Sequence, residues 1–325
     1  MSNFRWTKLM ACAVALAILL AAPAWAGAPV IGVLTPGGSY ESVLDGLREG
    51  LAKLGLREGK EVGYLIEDSK GDVKSLESRA LKLVESRPDV IFAIATASTL
   101  ALKKATQTIP LVFTAIGDPV QAGVVASFAS SQNNITGVAS MNAALSAKRL
   151  EILKELLPHL KKSLAIVAVK ESSAQFSYKY LAEAGDKLGV QAVRREISSD
   201  GDIELLFRER WSAMADSVIS MPSIFAVNHI ATLIDKAKRE KLPLMVFESS
   251  HVEMGALISY AGDFRSFGNQ AAAQVARILT KKTKPADIPV ETPERLFLSL
   301  NLATAKGLGL KIPRNFLDRA DRLID

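Results

Sequence analysis

The 325-residue sequence has a single cysteine, Cys12, and only three histidines. One cysteine cannot build a disulfide framework, and His159, His229 and His251 lack the short spacings of a metal motif, so no metal site is expected. Aromatic residues make up 6% of the chain, and 13 prolines and 21 glycines are too few for a collagen-like or low-complexity protein. Charge of one sign is not concentrated: 40 Lys and Arg face 34 acids, and the basic turn Lys281-Lys282-Thr283-Lys284 is short. Nucleic-acid binding needs clustered base, so no nucleic-acid partner is expected. What is present is apolar, 49% hydrophobic with 23% charged, which describes a folded chain of one or two well-cored domains.

The apolar run over residues 9–22 is about 14 residues long, short of the roughly 20 that cross a bilayer. It follows Arg5 and Lys8 and precedes Ala24-Trp25-Ala26, the pattern of a cleavable secretory signal peptide over 1–26. The expected compartment is the periplasm. Leu9-Met10-Ala11-Cys12 is similar to a lipoprotein box, but most of the apolar run follows the cysteine instead of preceding it. Removing the leader removes Cys12, which leaves no thiol for a disulfide or a nucleophile.

From Gly27 onward the pattern alternates. Val30 to Leu34 reads as a strand, Thr35 to Ser39 as a loop, and Val43, Leu47, Leu51 and Leu54 recur at helical spacing. Strands are expected over 61–67, 90–95 and 111–116, with helices over 74–86 and 98–106. After Asn134-Ile135-Thr136-Gly137-Val138 a second copy follows, with helices over 147–157, 175–188, 203–215 and 226–240. Its strands are expected over 163–169, 191–197, 217–221, 244–247 and 256–260. A helix over 266–280 and a run over 296–301 are left over. Apolar strands alternating with helices predict parallel sheets covered on both faces, here two doubly wound α/β lobes joined by a hinge. Such sheets bind ligands at the carboxyl ends of their strands, so the site is expected between the lobes.

The segment from Ile109 to Val125, with Gly117-Asp118-Pro119-Val120 at its centre, and Asn134-Ile135-Thr136-Gly137-Val138 resemble the ABC-transporter substrate-binding proteins of the tryptophan/tyrosine type. Ala95-Thr96-Ala97-Ser98, Leu150 to Pro158, Gly255 to Tyr260, Lys284 to Glu291 and Asn301 to Ala305 extend the likeness over the mature chain. The resemblance implies a type I periplasmic-binding fold with three interlobe crossovers. It also implies lobes over 27–143 plus 263–291 and 144–262 plus 292–325, and a monomer delivering a small solute to a membrane permease and ATPase. Lys170-Glu171-Ser172-Ser173 and Pro222-Ser223-Ile224-Phe225 depart from the family pattern.

Candidate ligand-binding residues are those that follow strands. Thr96, Ser98 and Thr99 open a helix and can hold a carboxylate, or Ser98 can serve only as its cap. Thr114 and Asp118 contact an ammonium or cap the next helix, and Tyr40 presents a ring to the cleft or lies exposed in its loop. In the second lobe Ser172, Ser173, Phe225, Glu248 and Ser249 follow strands. Asp263, at a crossover, is the first choice for an ammonium partner, with a hinge cap as its other reading. In the amino-acid version Ser98 and Thr99 hold the carboxylate, Asp263 the ammonium, and Tyr40 or Phe225 the side chain. No G-x-S-x-G elbow, phosphate loop or dinucleotide fingerprint is present, so neither an enzyme nor a cofactor is indicated. The same fold can instead sense a ligand for a receptor, and a dispersed Ser, His and Asp set is the requirement for a periplasmic hydrolase.

Overall fold

The computed structural model describes residues 27–325, so the leader expected over 1–26 lies outside the described residues. Apolar runs that are buried on both faces become the strands of two sheets. The first contains β1 (Val30–Thr35), β2 (Gly63–Asp68), β3 (Val90–Ile94), β4 (Leu111–Ile116) and β5 (Ile135–Ala139), all parallel, in the order β2-β1-β3-β4-β5. Helices α1 (Glu41–Lys53), α2 (Leu76–Glu85) and α3 (Thr96–Ala105) connect its first four strands.

The second sheet holds β6 (Lys162–Ala168), β7 (Gln191–Ile197), β8 (Ser217–Ser220), β9 (Leu244–Val246), β10 (Ile258–Ala261), β11 (Phe297–Asn301) and β12 (Arg322–Ile324). Their order is β12-β11-β10-β9-β8-β6-β7. Its helices are α4 (Asn142–Leu156), α5 (Ser172–Leu188), α6 (Asp200–Arg208), α7 (Ile224–Asn228), α8 (Ile230–Arg239) and α9 (Ser250–Glu253), while α10 (Phe264–Lys281) packs on the first sheet. Two short helices, α11 (Leu302–Gly307) and α12 (Arg314–Arg319), precede the last strand.

The chain passes between the sheets after β5, after β10 and again before β11. Because it leaves at the carboxyl end of β10 and returns at that same end, β11 must run back along β10, and Ala261 pairs with Phe297 in an antiparallel register. That reversed pair departs from a wholly parallel sheet. The third passage is tied to β5, where Glu291 N donates to Gly137 O (3.0 Å) and Ala139 N to Glu291 O (2.9 Å).

Several helix bounds differ from the expected ones. The helix over 203–215 stops at Arg208 because Trp211 turns into the core, its indole N–H donating to Leu206 O at 2.9 Å. The helix over 226–240 is two helices, α7 and α8, with a break at His229 (φ −109°, ψ 12°). Helices α3, α4 and α5 begin earlier than expected, at Thr96, Asn142 and Ser172. No helix among the described residues is long and apolar enough to cross a membrane.

Helix α10 is joined to the first lobe by its crossing with α1. A Cβ at Gly46 would collide with the Arg265 carbonyl, and one at Gly268 with the Val43 carbonyl, so the two backbones touch where neither helix has a side chain. A methyl group here forces the helices apart. Gly268→Ala is expected to lower the unfolding free energy by about 1–3 kcal/mol in urea denaturation. Gly307→Ala, whose methyl enters open space, is the neutral control; equal effects from both would remove the close crossing as the cause.

His251 is buried edge-on to Phe247, with ring centroids 5.8 Å apart, and neither ring nitrogen has a protein partner. Burial pulls its pKa from 6.5 down to about 4. Between these values the unfolded chain holds the extra proton, so the stabilisation from the neutral ring is complete above the unfolded value and declines as pH falls toward the folded one. The full loss amounts to roughly 3 kcal/mol. His251→Phe is expected to flatten this part of the stability–pH profile, whereas a profile identical to wild type would contradict the assignment.

Candidate functional site

The carboxyl ends of the strands in both sheets face a cavity of about 610 Å3, counting its opening to solvent. At the β2 edge, opposite the crossovers, the lips of the two lobes meet: Asn228 Nδ2 donates to Gly71 O at 3.4 Å.

Three helices that open on this cavity start without a capping side chain. Helices α3, α4 and α5 have Ala95, Met141 and Glu171 at the capping position, and none makes a side-chain cap hydrogen bond. Ser199, Ser223 and Asp263 cap α6, α7 and α10, the last two of which also begin at the cavity, while α1, α2, α8, α9 and α12 start without a side-chain cap as well. Ala95 and Met141 also have positive φ, 71° and 58°, as does Ala115 (59°) beside the bulge between β4 and β5. Alanine in such conformations carries strain of about 1–3 kcal/mol, and here it sits on the cavity wall. The first amides of each helix have no intrahelical carbonyl to reach. Those of α3 in one lobe and α5 in the other therefore form two donor clusters, each with the positive end of a helix dipole behind it.

An aromatic wall closes one side. Tyr40, 5% exposed, stacks on Phe264 with centroids 4.7 Å apart and planes at 19°, and Phe247 adds a third ring. Burial, together with the nearby Glu171 and Glu248 carboxylates, raises the Tyr40 phenol pKa, so the hydroxyl stays protonated. Glu171 lines the cavity and accepts from Ile224 N (2.6 Å) and Phe225 N (3.1 Å), capping α7 from across a loop. Burial pushes its pKa up, against the pull of those two amides. A cation placed beside it would favour its charged form.

A ring-lined cavity between two α/β lobes is the architecture of a solute-binding protein. The chain belongs to the ABC transporter substrate binding protein family, whose model matches residues 30–324. It is 26% identical over 274 residues to a tyrosine-binding protein of Clostridioides difficile, covering 84% of this chain and 78% of that one. Among solved structures it is similar to a conserved domain protein of Vibrio cholerae (28% identity, 91% of this chain and 99% of that one, TM-score 0.85). It is equally similar in fold to a protein of Streptococcus pneumoniae solved in complex with L-Trp (25% identity, 92% and 100%, TM-score 0.85).

Of the residues singled out in the sequence, Tyr40, Thr96, Ser172 and Ser173 line the cavity. The others have different surroundings. Ser98 is fully buried behind it with an unpartnered hydroxyl, and it lies within α3, so it is not the cap. Thr99 donates back to Ala95 O at 2.9 Å, Thr114 is buried in β4, and Asp118 accepts from Gln121 N at 2.9 Å in a local turn. Phe225 stacks on His229 at 4.5 Å, away from the cavity, and Ser249 is buried without a partner. Glu248 is turned to the amides of Ser250 (2.7 Å) and Phe264 (3.4 Å), and burial raises its pKa. Residues overlooked in the sequence, Asn142, Glu171, Phe247 and Phe264, line the cavity instead. Each follows a strand closely, so these residues lie in the strand-end loops where the sequence placed the candidates.

The expected ammonium role of Asp263 is corrected by its contacts. Its carboxylate caps α10 through Ser266 N (2.7 Å), pairs with Arg322 Nη2 (2.9 Å), and is off the cavity wall. Asp263→Ala is expected to cost about 1–2 kcal/mol in unfolding free energy through the lost cap, with ligand affinity within about twofold of wild type. A large affinity loss in folded variant protein would restore the ligand role.

Proposed function

We propose that this protein captures an aromatic amino acid between its lobes and presents the closed form to the permease and ATPase of an ABC importer outside the cytoplasm. The observation that carries the reading is the pair of uncapped helix starts, at Thr96 and Ser172, on opposite walls of a cavity bounded by Tyr40 and Phe264. A ligand carboxylate supplies the acceptor those amides lack. Glu171 receives the ammonium, and the ring lies against the aromatic wall, where an edge-to-face or offset contact adds to apolar burial. Since donors come from both lobes, the ligand binds the closed form better than the open one, and that difference drives closure. The tyrosine-binding and L-Trp-bound relatives support the choice of side chain. The role is binding and handover, with no covalent step.

Isothermal titration of the 27–325 chain with the twenty L-amino acids is the test. Saturable binding of L-tryptophan or L-tyrosine, with weaker binding of small aliphatic amino acids, is expected. Glu171→Gln should weaken that binding roughly 30-fold or more, the usual cost of truncating one partner of a buried charge pair. Protein freed of copurified ligand that binds no aromatic amino acid would overturn the reading.

A further inference from the structure

The first crossover places a buried cation directly behind the cavity. Arg149, in α4, is fully buried, and its three hydrogen bonds go to oxygens of uncharged groups. Nε donates to Tyr260 O at 3.0 Å, Nη1 to Asn142 O at 3.1 Å, and Nη2 to Asn142 Oδ1. Burial pulls its pKa down to about 9, and no neighbouring acid raises it, so it remains charged at neutral pH without a carboxylate partner. A guanidinium only donates. The Asn142 amide must therefore turn its oxygen to Arg149, which sends its NH2 group the other way. Asn142 is on the cavity wall, and among the described residues that NH2 group has no protein acceptor.

We propose that Asn142, oriented by Arg149, donates to the ligand's carboxylate and makes the site selective for an acid over the same ligand without one. This rests on the amino-acid reading above. The amide relays the buried charge: a hydrogen bond accepted from a cation polarises the group and strengthens the bond it donates. Arg149 is a positioning residue, linking the first crossover, through Asn142, to the end of β10, through Tyr260 O. The ligand's carboxylate in turn brings negative charge close to a cation that has no other anion.

The test is calorimetric titration of wild type, Asn142→Ser and Asn142→Asp with L-tryptophan and L-tyrosine, with thermal unfolding of each unliganded protein. Asn142→Asp gives Arg149 an ion pair, so its unfolding midpoint should equal or exceed that of wild type while a carboxylate now faces the ligand's own. Both variants should bind roughly 10- to 100-fold more weakly, the range for a hydrogen bond to a charged group. Arg149→Gln should weaken binding in the wild-type background but add little to Asn142→Ser, because the two act through one contact. Folded Asn142 variants within threefold of wild type, or fully additive losses, would overturn the proposal while leaving the ligand assignment in place. Wild-type protein that binds neither amino acid would overturn the ligand assignment itself, and this inference with it.

Discussion

Everything about the cleft depends on the contact at which α10 and α1 cross backbone to backbone. Helix α10 leaves the second lobe at β10 and has to be held in the first, and it is held by an apolar face that includes Phe267, Ala271, Ala272 and Val275. Gly46 and Gly268 let the helices approach until each meets a carbonyl of the other. The crossing also sets the cavity wall. Tyr40 immediately precedes α1 and Phe264 opens α10, so the packing that anchors the returning chain brings these two rings into a stack.

The polar half of the cleft is built from what has been left out. A helix start without a capping side chain forgoes about 1 kcal/mol, and three such starts, α3, α4 and α5, open on the cavity, two of them behind a non-glycine residue of positive φ. A core of this size tolerates such local losses, and the strained backbone at Ala95 and Ala115 sits on the cavity wall. The charged groups follow the same logic. Glu171 on one wall is held by two backbone amides, and Arg149 behind another by carbonyl and amide oxygens, so neither is neutralised by an opposite charge from the protein.

This arrangement explains which cavity residues were legible in the sequence. The strand-end rule led to Tyr40, Thr96, Ser172 and Ser173, all on the cavity wall. Ser98 and Thr99 were chosen to hold a carboxylate and Asp263 to meet an ammonium, with capping as the competing reading, and a helix cap and an ion pair to Arg322 engage both oxygens of Asp263. Asn142 and Glu171 gave no comparable signal. Asn142 gains its orientation from a residue two helical turns on, and Glu171 gains its partners from the start of α7, 53 residues away.

Hydropathy alternation by itself determined the two α/β lobes, because a strand covered on both faces and a helix with one apolar stripe leave different periodicities in the chain. The family likeness was legible in the same way, from contiguous segments such as Gly117-Asp118-Pro119-Val120. Only the tertiary structure decided the reversed pairing of β11, the break at His229, the stacking of Tyr40 on Phe264 and the direction of the Asn142 amide. Periodicity reports whether a residue is buried, since burial follows from the faces of a single element. Which atoms a buried group meets depends on contacts between segments far apart in the chain, and these exist only once the lobes have folded and met.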